Sequence, residues 1–296
     1  MRKGKGKGDF DHSYRAQKRG TLMSTMELNL ADKMRKLKEI LKSMNKVLVA
    51  FSGGVDSSFL LKVARDSLGE KDVLAVTATS PLYPQRELEC AKKIGREIGV
   101  RHILIESNEL NIAGFSDNPI HRCYLCKKEL FSELKRVAEK EGFFHIVEGS
   151  TLDDEKDHRP GKMAIKELGI RSPLKEALFS KNEVREASKE LGLSTWDKPS
   201  FACLASRFPY HSKITEEELR RVEEAEEFLI GLGFKQVRVR HYGDLARIEL
   251  YPEEIDRLMG KSLREKVVNH FKKIGYKYVT LDLQGFRTGS MNEVLS

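Results

Sequence analysis

A short glycine-rich loop, Ser52-Gly-Gly-Val-Asp-Ser57, is the feature that most constrains the fold of this chain. The loop directly follows the apolar run 46–51 and opens a helical pattern over residues 57–68. Glycines let a backbone turn tightly between a strand and a helix and come close to a ligand. Unpaired N–H groups at the helix start, together with the hydroxyls of Ser52 and Ser57, suit an oxyanion. The loop therefore predicts a phosphate site at a strand-to-helix turn.

Apolar strands alternate with helical patterns through the first half of the chain. The strands are predicted at 46–51, 72–77, 102–106 and 143–148, and the helices at 29–44, 57–68, 84–98 and 125–141. Because each strand is apolar throughout, the pattern favours a doubly wound parallel sheet with helices on both faces. Ligands of such sheets bind beyond the carboxyl ends of the strands. The loops expected there are 52–57, 77–84 and 149–160, and we expect part of 150–180 to be a mobile loop over the site.

The second half of the chain predicts a smaller α+β domain. Capping boxes, Ser180 with Glu183 and Thr215 with Glu218, start helices that run to about 191 and 232. Strands are predicted at 235–241, 245–251 and 276–283, with helices within 252–274. We therefore divide the chain into a basic leader (1–27), a nucleotide-binding sheet domain (28–200), a cysteine-bearing linker loop (201–214) and a C-terminal domain for substrate binding or oligomerisation (215–296).

Positive charge is concentrated at the N-terminus. Residues 1–20 hold seven lysines and arginines against two aspartates, so they carry +5 of the formal net charge of +8. This leader is poor in apolar residues and is predicted to be disordered. A nucleic-acid-binding protein that uses the leader is one hypothesis, but the nearly neutral remainder argues against a large RNA partner. No apolar run reaches the ~20 residues of a membrane helix and the N-terminus lacks the apolar stretch of a signal peptide, so we expect a cytosolic protein.

The glycine-rich loop resembles the signature of the PP-loop ATP pyrophosphatase superfamily, S-G-G-x-D-S after the first strand. The resemblance implies an enzyme that splits ATP between the α and β phosphates, releases pyrophosphate and leaves AMP on a substrate oxygen, with Mg²⁺ assisting. It also implies that Ser52, Gly53, Gly54 and Ser57 hold the pyrophosphate portion and that Asp56 helps to position the metal. Such chemistry needs positioning and charge stabilisation rather than a protein nucleophile.

From about residue 28 to the end, the chain is similar to the LarE family of sulfur transferases, which act in nickel-pincer cofactor biosynthesis. The stretches that carry this similarity are 51–58, Asn118-Pro-Ile-His-Arg-Cys-Tyr-Leu-Cys-Lys127, 149–161 and Lys198-Pro-Ser-Phe-Ala-Cys-Leu-Ala-Ser-Arg207. The resemblance implies that a carboxylate of a pyridinium dicarboxylate mononucleotide is adenylated and converted to a thiocarboxylate. It also implies that Cys203 is a catalytic residue, which in family members without a cluster donates its own sulfur and becomes dehydroalanine.

Two further cysteines, Cys123 and Cys126, leave the sulfur mechanism open. A C-x-x-C pair with Cys203 offers three thiolates, which would hold a [4Fe–4S] cluster by three irons and leave the fourth iron open for an extra sulfide. A C-x-x-C pair by itself is equally compatible with a zinc site, a redox pair or chance. Zinc would take His121 as a fourth ligand, but a closed zinc site would leave Cys203 without chemistry. We favour the cluster, because a sacrificial Cys203 gives the other two cysteines no task. Cys90, on a predicted helix, is expected to be a small core residue.

Three arginines are candidates for binding the phosphate of the substrate. Arg207 follows Cys203 closely, and Arg238 and Arg240 alternate along a predicted strand, so the latter two point to one face. A phosphate is a natural partner for such a group, whereas the alternative is a set of solvated charges on an exposed strand face. We expect a small-molecule substrate and a homo-oligomer. A transfer-RNA thiolation enzyme of the same superfamily is the alternative function.

Overall fold

The structure is a computed structural model that describes residues 29–156, 160–199 and 201–295. The predicted leader, and the residues Asp157 and Arg159 of one family-like stretch, lie outside these ranges. In the first half of the chain, helices and strands alternate as predicted: α1 (Leu30–Met44), β1 (Val47–Ala50), α2 (Val55–Leu68), β2 (Val73–Thr79), α3 (Gln85–Ile98), β3 (Arg101–Glu106), α4 (Arg122–Glu141) and β4 (His145–Val147). Helix α4 begins three residues before the predicted start, so Cys123 and Cys126 both lie on it.

The four strands β1 to β4 form an all-parallel sheet in the order β3-β2-β1-β4. Strand β1 lies inside the sheet, and its residues Val47, Leu48 and Val49 are fully buried. Because neighbouring side chains on a strand point to opposite faces, Val47 and Val49 pack with α1 and α2, whereas Leu48 packs with α4. The predicted doubly wound parallel sheet is confirmed.

The segment 150–180 contains more regular structure than its sequence pattern indicates. It includes helices α5 (Gly161–Glu167) and α6 (Pro173–Glu176), and α7 (Lys181–Glu190) follows. Seven and four residues are too short to display a helical period, which is why the first two helices were not predicted. The predicted capping box of α7 is present, with the Ser180 hydroxyl accepting from the Glu183 backbone N–H.

The C-terminal part has its own small mixed sheet, as predicted. Its elements are α8 (Glu216–Gly231), β5 (Val237–Tyr242), β6 (Leu245–Leu250), α9 (Ile255–Met259), α10 (Lys261–Lys273) and β7 (Tyr278–Leu281). Strand β6 lies between β5, to which it is antiparallel, and β7, to which it is parallel. Helix α8 starts with the predicted capping box of Thr215 and Glu218. Among the described helices, none is both long and apolar enough to cross a membrane.

A third apolar cluster joins the two sheets, and we call it the interdomain cluster. It contains Leu82 and Phe115 from the first half, Leu204 and Phe208 from the cysteine-bearing loop, and Leu219 from α8, with Cys126 and Cys203 packed against it. The loop 201–214 is therefore held between the two parts of the protein rather than extended between them. The domain boundaries themselves stay a prediction.

Candidate active site

Strand order places the glycine-rich loop at the switch point of the first sheet. The chain moves from β1 through β2 to β3 on one side and then returns to β4 on the other side of β1. The loops that leave β1 and β4 therefore diverge, and the crevice between such loops is where open parallel sheets bind ligands. The two loops approach closely here, because a Cβ added to Gly149 would lie 3.0 Å from the backbone nitrogen of Ser57.

The loop 52–57 has the shape of an anion cradle. The hydroxyl oxygens of Ser52 and Ser57 lie 3.1 Å apart, and the Gly54 N–H points at the Ser52 hydroxyl oxygen at 3.4 Å. Gly54 is the N-cap of α2 and has no side chain to cover the first N–H groups of the helix, which lack intrahelical partners. Gly53 has a positive φ of 61°, and a Cβ there would lie 2.8 Å from the Ala91 Cα. Only glycine fits this turn.

Asp56 lies in the first turn of α2, among other carboxylates. Burial is the main reason that the pKa of Asp56 is raised to about 6. The negative charges of Asp154 and Glu148 also raise this pKa, whereas the positive charges of Lys181 and Arg185 lower it. A carboxylate beside a phosphate loop suits Mg²⁺, which proteins bind through one or two carboxylates together with substrate phosphates. The donor chemistry thus fits the predicted role of Asp56 as a metal-positioning residue.

Lys198 is a residue of the site that the sequence reasoning did not single out. Its Nζ lies 3.0 Å from the Gly53 carbonyl oxygen and 2.7 Å from a Glu87 carboxylate oxygen. The guanidinium of Arg185, on α7, holds the backbone of this segment by donating to the Lys198 carbonyl at 2.8 Å. The sequence signal for Lys198 was its position in the family-like stretch 198–207. Nothing in the spacing of that stretch indicates that the Lys198 side chain contacts the phosphate loop, 145 residues earlier in the chain.

The segment that connects β2 and α3 contacts both the phosphate loop and the cysteine-bearing loop. The Tyr83 hydroxyl donates to the Ser52 carbonyl, and the Tyr83 ring meets the Phe201 ring edge-on at 6.0 Å between centroids. The backbone N–H of Leu204, the residue after Cys203, donates to the Leu82 carbonyl at 3.0 Å. One short connection therefore contacts both the phosphate loop and the backbone beside Cys203.

The three cysteines of the predicted sulfur site face a common region. Cys123 and Cys126 are separated by one turn of α4 and share a helix face, and Cys126 and Cys203 both pack against the interdomain cluster. The pKa of Cys126 is raised, first by burial, then by Glu109 and by the charges of Cys203 and Cys123, and such coupling requires proximity. Within the described ranges, however, no three His, Cys, Asp or Glu side chains are gathered closely enough to hold a metal ion.

Cys90 has a different environment from these three. It is half-buried on α3 and packs against the core beside β1. Its Sγ lies 3.1 Å from the Nζ of Lys198.

The candidate phosphate arginines are buried and partnered with carboxylates. Arg207 donates from Nε and Nη2 to the two oxygens of Glu226 at 2.8 and 2.9 Å. Arg240 donates in the same way to Glu249 at 2.9 and 2.6 Å. The alternative of solvated charges on an exposed face is wrong, since Arg238 and Arg240 have exposures of only 6% and 4%.

Arg238 is close to both ion pairs. Its burial and the neighbouring guanidiniums of Arg207 and Arg240 disfavour its charged form. Its Nη1 donates to the Val237 carbonyl at 2.7 Å. Burial, followed by the charge of Arg207, lowers its pKa to about 9 despite the opposing effect of Glu226. The structure thus brings the three arginines together, and it adds Glu226 and Glu249, which the sequence reasoning missed as their partners. Phosphate binding by the three arginines stays a prediction.

Comparisons with known proteins agree with this arrangement. Residues 29–118 match the NAD synthase family. An uncharacterized protein of Synechocystis sp. is 45% identical over 90% of this chain and 99% of its own length. The pyridinium-3,5-bisthiocarboxylic acid mononucleotide synthase of Lactiplantibacillus plantarum is 39% identical over 90% of this chain and 96% of its own length. An uncharacterized protein of Methanocaldococcus jannaschii is 31% identical over 86% and 98%, respectively. The chain therefore belongs to the family of the Lactiplantibacillus plantarum synthase, the LarE family of the PP-loop superfamily.

Proposed function

We propose that the protein is an ATP-dependent sulfur transferase that converts a carboxylate of a pyridinium dicarboxylate mononucleotide into a thiocarboxylate. The observation that carries the proposal is the double contact of the β2–α3 connection. Tyr83 contacts the phosphate loop at Ser52, and Leu82 accepts the backbone hydrogen bond of Leu204, next to Cys203. A protein that activates a substrate with ATP and then delivers sulfur to it needs these two centres side by side. The name of the 39%-identical relative describes a product of this kind.

In the first step, a substrate carboxylate oxygen attacks the α-phosphorus of ATP, the bond to the β-phosphate bridging oxygen breaks, and pyrophosphate leaves. Ser52, Gly53, Gly54 and Ser57 bind the leaving pyrophosphate through hydroxyl and backbone N–H groups. The ammonium group of Lys198, 3.0 Å from the Gly53 carbonyl, adds positive charge on the same side of the loop. Mg²⁺, held by Asp56 and by phosphate oxygens, would supply further neutralisation of charge. This step yields an acyl adenylate and free pyrophosphate, and AMP leaves only when sulfur replaces the adenylated oxygen.

In the second step, sulfur replaces the adenylated oxygen of the substrate. The residues proposed for it are Cys203, Cys123 and Cys126. Together these three thiolates would hold a [4Fe–4S] cluster, whose open iron supplies a site for an exchangeable sulfide. What supports this version is that Cys126 and Cys203 pack against the same interdomain cluster and that Cys123 lies one turn of α4 before Cys126. In the version without a cluster, the Cys203 sulfur attacks the acyl carbon, AMP leaves, and loss of the Cα proton with cleavage of the Cβ–S bond yields dehydroalanine and the thiocarboxylate.

The substrate phosphate is placed by this proposal at Arg207, Arg238 and Arg240. Charge supports the assignment, because burial and neighbouring guanidiniums lower the pKa of Arg238 to about 9 and a bound phosphate would offset that repulsion. The cytoplasmic location and the homo-oligomer stay predictions.

One anaerobic experiment tests the proposed function and separates the two sulfur mechanisms. The wild type, Cys203→Ala, Cys123→Ala and the control Cys90→Ala are each incubated with ATP, sulfide and the dicarboxylate mononucleotide. Iron content, nucleotide products and the chain mass are then measured. We expect AMP and not ADP, and an unchanged chain mass over many turnovers. Cys203→Ala and Cys123→Ala should lose both iron and activity, whereas Cys90→Ala should keep its iron. ADP formation would contradict the proposed function. An iron-free, active Cys123→Ala protein, with a wild-type chain lighter by the mass of H₂S, would assign the sulfur to Cys203 alone.

A further inference from the structure

Arg86 lies where the two parts of the protein meet, and the steps proposed above do not use it. It is in the first turn of α3, directly after Gln85, whose backbone N–H donates at 2.8 Å to Glu223 on α8. The Arg86 guanidinium reaches further in the same direction, with its Nη2 at 3.9 Å from a Glu226 oxygen. Arg86, which belongs to the sheet domain, therefore lies near the buried ion pair of Glu226 with Arg207.

The guanidinium of Arg86 is incompletely neutralised. Its Nη1 is buried and has no hydrogen-bond partner among the described residues. Three carboxylates lie near Arg86, and each has another partner. Glu226 is bound through two hydrogen bonds by Arg207. Glu87 lies 3.5 Å from the Arg86 Nε but 2.7 Å from the Nζ of Lys198, and Glu223 accepts from the Gln85 backbone N–H. A buried cationic donor without an acceptor is costly, and its free N–H is an unused binding group for an anion.

The aromatic ring of Phe201 connects Arg86 to the cysteine-bearing loop. The Arg86 guanidinium lies 6.0 Å from the centre of this ring and that of Arg207 lies 5.3 Å from it. Phe201 is two residues before Cys203, so both guanidiniums are close to the proposed sulfur centre. Arg86 also contributes to the positive field at Arg238. Guanidiniums gathered from two parts of a protein suit a phosphate monoester, which offers three oxygens to several donors at once.

We propose that Arg86 binds a phosphate oxygen of the mononucleotide substrate and so completes, from the ATP-binding part of the protein, the site formed by Arg207, Arg238 and Arg240. The inference rests on the proposed function, since it concerns the same substrate. Its consequence is that the substrate phosphate bridges α3 and the C-terminal sheet. Because α3 also carries Ala91, which packs on the phosphate loop, substrate binding and ATP binding share one helix.

The test compares Arg86→Gln with Arg96→Gln, a control that removes an exposed arginine from the last turn of the same helix. Isothermal titration calorimetry measures the binding of the pyridinium dicarboxylate mononucleotide, of the corresponding riboside, which lacks the phosphate, and of ATP. For the mononucleotide, Arg86→Gln should raise the Kd about tenfold or more, the effect of losing one charge-assisted hydrogen bond, and the control should leave it unchanged. The Kd values for riboside and ATP, and the Tm, should be unchanged in both variants.

Four outcomes would overturn the inference. An unchanged mononucleotide Kd in Arg86→Gln would remove Arg86 from the site, and equal weakening of mononucleotide and riboside would show that it does not act on the phosphate. Weakening confined to ATP would assign Arg86 to the nucleoside triphosphate instead. Failure of the wild type to bind the mononucleotide at all, with ATP binding intact, would contradict the proposed substrate as well. The first three outcomes leave the proposed function standing.

Discussion

Burial at the start of α2 raises the pKa of the Asp56 carboxyl to about 6, and the negative charges of Asp154 and Glu148 act in the same direction. The sequence identifies Asp56 by the spacing of its loop, but its pKa depends on charged neighbours in the segment after β4 and on α7. For the same reason, the contacts of Lys198 and Glu226 could not be predicted from the sequence. Each acts through a partner far away along the chain, and a single sequence contains no signal for such a pairing. Residues within a continuous motif were predicted, and their long-range partners were not.

Asp56→Asn should change the pH dependence of both stability and metal use. An unfolded chain releases the Asp56 proton near its ordinary pKa of 3.8, whereas the folded protein keeps it to about pH 6. The free energy of unfolding of the wild type should therefore lose a contribution as pH rises from about 4 to 6, and the variant should lack this loss. Above pH 6 the variant should unfold at higher urea concentration than the wild type, and at pH 4 the difference should vanish.

The same variant has a kinetic consequence. Pyrophosphate release by the wild type should require more Mg²⁺ as pH falls below about 6, roughly tenfold per pH unit, because the protonated carboxyl does not bind the metal. Asp56→Asn should need high Mg²⁺ at every pH. A Mg²⁺ requirement that is equal in the two proteins at pH 8 would remove Asp56 from the metal site.

At the scale of elements, the sequence predicted what is local and periodic. The strands of the parallel sheet and both capping boxes are at their predicted places, since apolar runs and cap residues act within a few positions. Helices α5 and α6 were not predicted because they are shorter than the window in which a period can be recognised. The start of α4 was placed three residues late, because its N-cap residue, His121, makes no side-chain cap hydrogen bond and its first turn, with Arg122 and Cys123, has no recognisable start signal.

Gly53→Ala should damage the phosphate loop specifically. The alanine would adopt a positive φ and would also bring its Cβ to 2.8 Å from the Ala91 Cα of helix α3. Gly142→Ala is the matched control, because Gly142 also has a positive φ at the end of α4 but nothing lies within 4 Å of an added Cβ. Gly142→Ala should lose about 1 kcal/mol of stability from the strained backbone, and Gly53→Ala should lose more because of the additional contact with Ala91. Only Gly53→Ala should lose pyrophosphate affinity, measured by calorimetry; equal affinities in the two variants would contradict the cradle.

Helix α8 allows a comparison of a buried and an exposed ion pair. Glu226→Gln keeps the side-chain shape but leaves the fully buried Arg207 without its countercharge. We expect a loss of about 3–5 kcal/mol in the free energy of unfolding, measured by urea denaturation. Glu216→Gln breaks the solvent-exposed pair with Arg220 on the same helix and should cost at most about 0.5 kcal/mol. Equal effects would mean that the Arg207–Glu226 pair contributes no more than a surface pair.

At the scale of the whole molecule, the function depends on how loops from both halves meet. The parallel sheet indicates that the loops after β1 and β4 lie together, and this much follows from sequence. The packing of the loop 201–214 against Leu82 and Phe115 does not follow from it, because apolar residues in an aperiodic loop carry no information on their partners. That packing places the backbone beside Cys203 on the β2–α3 connection, which also contacts the phosphate loop, and in the proposed function it joins activation by ATP to sulfur transfer.

The most direct test of the proposed mechanism traces the carboxylate oxygen of the substrate with an isotope label. If a substrate carboxylate is adenylated and its oxygen is then replaced by sulfur, that oxygen must leave with AMP. The mononucleotide substrate is prepared with ¹⁸O in its carboxylates, and the AMP formed during anaerobic turnover with sulfide is examined by mass spectrometry and ³¹P NMR. We predict one ¹⁸O atom in the phosphate of each AMP formed per thiocarboxylate. Unlabelled AMP, or ADP as the nucleotide product, would contradict the account.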